Sequence, residues 1–195
     1  MEMSYLINTD FKVDKHENIS LETFLHSKRV AVYAKRIGQY MGYSSKEINT
    51  LILLSLSHDI GKSRIPKNIL NKKGKLTNFE FETIKMHAEY GAEILIENKY
   101  SKDFYDSVKY HHENYDGSGY YGLYKDEIPI ASRIIRIADV FDALTTNRPY
   151  REAYTIEESL EIMICEKNMY DPKLFEIFIK FVKENININL FSNIS

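Results

Sequence analysis

The chemistry of this sequence lies in a scatter of imidazoles and carboxylates. Glu22 and His26 stand four residues apart, His58 and Asp59 are adjacent, and so are His111 and His112; His87 lies in a helical run, and Asp139 interrupts the apolar stretch IRIADVFDALT. Positions four apart on a helix share a face, one turn from each other. Adjacent positions point about 100° apart, so a His-Asp or His-His doublet does not ordinarily serve one small mononuclear site. Two such doublets imply more than one metal. Imidazole and carboxylate without thiolate suit iron, manganese, nickel or zinc in a catalytic rather than a structural setting. Each piece also has a plainer reading: His87 alone is a core histidine, and Glu22 with His26 a surface contact. Asp139 is harder to dismiss, because a carboxylate among Ile, Ala, Val and Phe needs a cation or several donors.

The elements that must position these groups read as helices. Apolar residues at three- and four-residue steps predict a helix from Leu21 to Tyr40, stopped by Gly42. A capping box, Ser44 with Glu47, opens a second helix expected to run to about Ile60 and end at Gly61; Pro66 then marks a loop. Thr77 with Glu80 opens one expected to continue unbroken through His87 to Asn98, and another is expected from Ser101 into His111. Pro129 begins a helix carrying Asp139. Thr155 with Glu158, and Asp171 before Pro172, open two closing helices. No alternating run longer than four residues suggests a strand, so the fold class is all-α, a helical bundle of six or seven helices. Residues 20–185 form the domain, with weakly patterned segments 1–19 and 186–195 expected to be loosely ordered.

Bulk composition narrows the rest. At 195 residues, 44% hydrophobic and 28% charged, the chain can bury a real core as one domain. A formal net charge of −2 with scattered Lys and Arg supports neither a DNA- or RNA-binding face nor a polybasic membrane patch. The longest apolar run, LILLSL, is too short for a membrane span, and no secretory pattern opens the chain, so a cytoplasmic location is expected. Cys165, with no second Cys or neighbouring His, reads as a core thiol. In HHENYDGSGYYG, Gly117, Gly119 and Gly122 offer the positive φ angles and close approach that a turn beside a metal-ligating pair demands, with Asp116 as a turn residue. Gly91 is expected to let two helices pack closely.

Four stretches, LSHDIGKSRIP, MHAEYGAEIL, HHENYDGSGYYG and IPIASRIIRIADVFDALTTNRPYR, resemble in order the HD-GYP branch of the HD-domain metal-dependent phosphohydrolases. The resemblance covers roughly residues 20–180. It implies an all-helical domain, a di- or trinuclear centre of iron or manganese, and hydrolysis of cyclic di-GMP to the linear dinucleotide or further to GMP. His58 and Asp59 match the signature doublet, with Asp59 expected to bridge two metals; His87, His111, His112 and Asp139 match the remaining ligands. Glu22 with His26 matches the extra pair of the trinuclear subgroup. Lys62 matches a lysine that meets a scissile phosphate oxygen, so Asp59 and Lys62 are the expected catalytic residues. Arg148 and Arg151 match positions that grip substrate phosphates, and Tyr120 is expected to contact substrate.

Such a centre is cationic and receives a phosphodiester anion despite the chain's negative charge, and metal-activated water needs no Ser or Cys nucleophile. Alternatives are another substrate, 3′,3′-cyclic GMP-AMP or a different nucleotide, and a signalling module that binds without turnover. A homodimer or a signalling partner protein stays open. One departure stands out: where the family reads Gly-Tyr-Pro, this chain has Gly119, Tyr120 and Tyr121. Loss of the proline is expected to leave the loop more conformations and an extra N–H.

Overall fold

A computed structural model of the chain describes residues 20–147 and 151–185. Within them the elements are α1 (Leu21–Tyr40), α2 (Ser45–Ser57), α3 (Lys67–Leu70), α4 (Asn78–Lys85), α5 (His87–Glu97), α6 (Lys102–Lys109), α7 (Ile130–Thr145), α8 (Ile156–Cys165) and α9 (Pro172–Asn185), with short 3-10 turns between some of them and no β-strand among the described residues. The all-α expectation holds. The terminal segments 1–19 and 186–195, and Arg148, lie outside the described residues.

The helix starts follow the sequence. Ser44, Thr77 and Thr155 each accept from the N–H three residues on, while Glu47, Glu80 and Glu158 reach back to the cap N–H, satisfying donors that a helix start leaves orphaned. Asp171 accepts from the N–H groups of Lys173 and Leu174 at the head of α9. Gly42 ends α1 at φ +77°.

The long α1 packs on α2, α7 and α9, and α5 packs on α6 and on the 3-10 turn Ile60–Arg64. Phe141 and Phe178, both fully buried, meet edge to face at 5.0 Å between ring centroids. An aromatic pair in that geometry adds about 0.5–1.5 kcal/mol beyond its buried area. α7, with Ile134, Ile135, Ile137, Ala138 and Phe141 buried, packs on α1, α6, α8 and α9, so its polar positions are held on a helix anchored in the core.

Three expectations are corrected. α2 ends at Ser57, before Ile60, and Gly61 lies within a 3-10 turn rather than closing the helix. There a Cβ would stand 1.9 Å from the His87 carbonyl oxygen and 2.5 Å from the Gly91 nitrogen. Gly61 therefore serves the approach of this turn to α5, not a helix cap. The helix expected across residues 78–98 is broken at Met86 into α4 and α5, so His87 is a first-turn residue. Cys165 is exposed at the end of α8, not buried in the core; its neighbours Met163 and Leu160 take the inward positions of that helix.

Candidate metal centre

Each of the three most deeply buried histidines stands just past the end of a helix: His58 after α2, His87 after α4 and His111 beyond α6. The last carbonyls of a helix have no intrahelical partner. Here the histidine three residues on supplies it. Nδ1 of His58 donates to the Ser55 carbonyl at 2.7 Å, Nδ1 of His87 to Ile84 at 2.7 Å, and Nδ1 of His111 to Val108 at 2.6 Å. A carbonyl only accepts, so Nδ1 carries the proton and Nε2 presents a bare lone pair. His26 Nδ1 likewise donates, here to Oδ2 of Asp142 at 2.7 Å. The break at Met86 has its cause here, a side chain inserted into the helical hydrogen-bond ladder.

The four Nε2 atoms converge on Asp59, which is 2% exposed. Its Oδ1 lies 3.4 Å from Nε2 of His87, and its Oδ2 3.4 Å from His58 and 3.7 Å from His26. Donor atoms of Asp59, His87, His111 and His112 form one group close enough to hold an ion, and those of His26, His58 and Asp59 form a second. Asp59 belongs to both. Asp139 adjoins both, with Oδ1 3.1 Å from His26 Nε2 and Oδ2 3.9 Å from His112 Nδ1.

This donor set fits divalent cations. Nε2 of His87 and Nε2 of His111 face each other at 3.3 Å, two lone pairs that repel unless a cation or proton lies between them. His58 Nε2 and Asp59 Oδ1 are buried without a hydrogen-bond partner. Burial lowers the pKa of His87, and burial reinforced by neighbouring imidazoles holds His111 and His112 well below the usual histidine value. These rings are neutral at neutral pH, as ligands must be. Burial alone would raise the pKa of Asp59, but Lys62 and the surrounding histidines outweigh it and hold the carboxylate well below the ordinary range. Asp139 is likewise held down against burial, by His26 first. His26 itself, opposed by burial but bonded to Asp139 and Asp142, is raised to about 9.

Most of the residues singled out from sequence thus meet in one place: His26, His58, Asp59, His87, His111, His112 and Asp139. Lys62 joins them, its Nζ 2.6 Å from Asp59 Oδ2. Tyr120 forms a wall, its ring 4.7 Å from that of His112 and 5.1 Å from Lys85 Nζ; burial pushes its hydroxyl up to about 12. Glu22 is exposed on the first turn of α1 and belongs to neither donor group. Arg151 does not reach the centre's donor groups; it donates to the carbonyls of Ala143, Leu144 and Glu152 and stacks on Tyr154 at 4.3 Å. Its cation satisfies the carboxyl end of α7, where positive charge is favoured.

Other residues of the site were not picked out from sequence. Asp142, completely buried, accepts from His26 and from Arg29 Nε at 2.6 Å and Nη2 at 3.0 Å. It stands one turn beyond Asp139 on the same apolar helix, so the signal that marked Asp139 was present. Glu113, 2% exposed, accepts from the N–H of Tyr121 and of Leu123, both at 2.7 Å. The N–H added where the family has proline is committed to a buried carboxylate. The Tyr121 ring also meets Tyr110 at 5.4 Å and Lys109 Nζ at 5.2 Å, and its hydroxyl donates to Glu89 at 3.3 Å. The glycines divide the work expected of them. Gly117 and Gly122 take φ +81° and +76°, whereas a Cβ at Gly119 would stand 2.5 Å from Glu113 Cα. Asp116 makes the expected turn, accepting from Ser118 N–H at 3.0 Å.

Comparison with known proteins agrees with this geometry. A family model described as HD domain matches residues 16–174. The chain is 40% identical, over 87% of its length, to 3'3'-cGAMP-specific phosphodiesterase 2 of Vibrio cholerae, covering 33% of that protein. It is 39% identical, over 84% of its length, to the cyclic di-GMP phosphodiesterase of Thermotoga maritima, covering 46% of it. The chain thus spans less than half the length of these curated relatives. The solved structure of Bd1817, a HDG"Y"P protein from Bdellovibrio bacteriovorus, shares the fold with a TM-score of 0.68 at 21% identity, over 85% of this chain and 55% of that one.

Proposed function

Because the chain belongs to the HD-domain family, in its HD-GYP branch, we propose that it is a metal-dependent phosphodiesterase that opens a cyclic dinucleotide, cyclic di-GMP first among them. The observation that carries this reading is the Asp59 carboxylate, whose two oxygens face two separate groups of imidazole nitrogens. Two divalent ions, iron or manganese, would be held by His87, His111, His112 and Asp59 on one side and by His26, His58 and Asp59 on the other, with Asp139 beside both. When bound, such ions activate a water and neutralise a phosphodiester.

The chain's own residues do the rest. Asp59 bridges the two groups and fixes their separation. The carbonyl-anchored Nδ1 atoms keep each Nε2 aimed inward before any ligand arrives, so no reorganisation is required at the moment of reaction. Lys62 meets a phosphoryl oxygen and offsets charge developing there. Tyr120, neutral at physiological pH, offers a flat wall against which a base stacks. A third ion held by Glu22 with His26, and phosphate contacts from Arg148 and Arg151, are further proposals, the first read out by metal content per chain and the second by substrate affinity of the alanine variants.

The relatives' names divide between two cyclic dinucleotides, so the deciding assay presents both. Protein reconstituted with manganese or iron(II) without oxygen is offered cyclic di-GMP and 3′,3′-cyclic GMP-AMP, and linear products are followed. The expected result is turnover, faster with cyclic di-GMP, that disappears in Asp59→Ala while the helical circular dichroism is retained. Full metal loading with no product from either nucleotide would overturn the reading.

A further inference from the structure

Arg133, Arg136, Asp139 and Asp142 follow one another at three-residue steps along α7, each about 60° round the helix from the last. Three of the four are matched with opposite charge. Arg133 pairs with Asp126 and Asp171, Asp139 with His26, and Asp142 with His26 and Arg29. Arg136 is the exception: among the described residues it has no carboxylate partner, and its one hydrogen bond runs from Nε to the neutral Oδ1 of Asn114 at 2.9 Å.

That bond has a specific consequence. Asn114 is 4% exposed, and its Nδ2 donates to Ser118 Oγ at 2.9 Å, which fixes the amide with its oxygen toward Arg136. The guanidinium is thereby held by Nε, leaving the two terminal nitrogens without an acceptor among the described residues. Arg136 stands on α7 one turn before Asp139, bonded to a residue two positions beyond His112. The hydroxyl of Tyr170, a residue 2% exposed, is buried without a hydrogen-bond partner in the same neighbourhood. A part-buried cation without a counterion, close to where a metal centre takes up its substrate, is placed to meet an anionic group. Guanidinium with its terminal nitrogens free suits a phosphate in a two-pronged geometry, which an ammonium cannot reproduce.

A cyclic dinucleotide carries two phosphodiesters, and only one is at the metal ions when it is cleaved. We propose that Arg136, positioned by Asn114, is the residue that receives the second, uncleaved phosphate. The proposal rests on the phosphodiesterase reading above. It makes Arg136 a determinant of selection for two-phosphate rings over simple phosphodiesters.

The test compares the manganese-loaded parent, Arg136→Gln and Arg136→Lys on cyclic di-GMP and on bis(p-nitrophenyl) phosphate, a diester with a single phosphate. Loss of a charge-assisted contact in Arg136→Gln is expected to lower kcat/KM for cyclic di-GMP by about 10- to 100-fold, chiefly through KM. The loss on the one-phosphate diester should be at least tenfold smaller, with metal content and circular dichroism matching the parent. Arg136→Lys, keeping charge without the fork, should fall between. Equal losses on both substrates, or a loss of metal, would make Arg136 a structural support and overturn the proposal, as would no loss on either. Equilibrium binding of cyclic di-GMP to the same proteins separates this question from the function itself. A parent that binds without turnover sinks the phosphodiesterase reading and still supports the role of Arg136 if Arg136→Gln binds at least tenfold more weakly. Equal binding by both proteins, or none by the parent, overturns it.

Discussion

Substituting Tyr121 by proline would restore the family's Gly-Tyr-Pro, yet the structure says it should destabilise this chain. Proline has no N–H, and the Tyr121 N–H is one of two that Glu113 accepts at 2.7 Å. Glu113 is buried, at 2% exposure, so a lost donor is not replaced by water. A hydrogen bond to a charged group contributes about 1.5–3 kcal/mol; proline recovers about 0.4–1 kcal/mol by restricting the unfolded chain. The balance is a loss of about 1–2 kcal/mol. The ring contacts with Tyr110, Lys109 and Glu89 are lost too, so Tyr121→Ala, which removes the ring and keeps the N–H, is the proper reference. At this chain length each kcal/mol moves Tm by about 2–4 °C. Thermal unfolding at fixed manganese should therefore place Tyr121→Pro about 2–8 °C below Tyr121→Ala. Metal content should match the parent in both, because the inward Nε2 atoms of His58, His87 and His111 are anchored by the carbonyls of residues 55, 84 and 108, not by this loop. A Tm for Tyr121→Pro equal to or above that of Tyr121→Ala would refute the assignment of the N–H to Glu113, and loss of metal would refute the independence of loop and centre.

Three further outcomes follow from the same geometry. Gly61→Ala drives a Cβ to 1.9 Å from the His87 carbonyl oxygen, so urea unfolding should show a loss of about 3 kcal/mol or more; a variant of parental stability would mean that the turn and α5 are not in that contact. Asp142→Ala leaves Arg29 without its buried counterion and His26 without its Nδ1 acceptor, costing about 3–5 kcal/mol and lowering metal affinity, with equilibrium unfolding and manganese titration as the measurements and parental values in both as the contrary result. Metal-free protein should lose stability as pH falls from 7 to 5. His87, His111 and His112 are held below their unfolded value of about 6.5, so the unfolded chain binds protons there that the folded chain refuses. His26, raised to about 9, has the opposite sign: its contribution is complete below about 6.5 and is lost only as pH rises through 9. A urea midpoint that stays flat or climbs between pH 7 and 5 would contradict the three depressed histidines.

Much of this protein was legible in the order of its residues. The capping boxes at Ser44, Thr77 and Thr155 announced their helices because a cap is local: donor and acceptor lie three residues apart, and no distant partner is consulted. The clustered histidines and carboxylates were legible for a related reason, since a carboxylate on an apolar helix, such as Asp139, needs partners brought to it. What sequence could not decide is where helices yield to the site. α2 ends before Ile60, and α4 breaks from α5 at Met86, although local propensity favours continuation. The histidines just beyond take the vacated carbonyls, and their Nε2 atoms are directed at a carboxylate that other elements hold in place. Nor could sequence separate Arg151, bonded to backbone carbonyls, from Arg136, left without a counterion among the described residues, because the partners of each are fixed only when the chain folds. Whether a charge is paired depends on residues tens of positions away, as with Asp142 and His26, and only the packed structure brings those together.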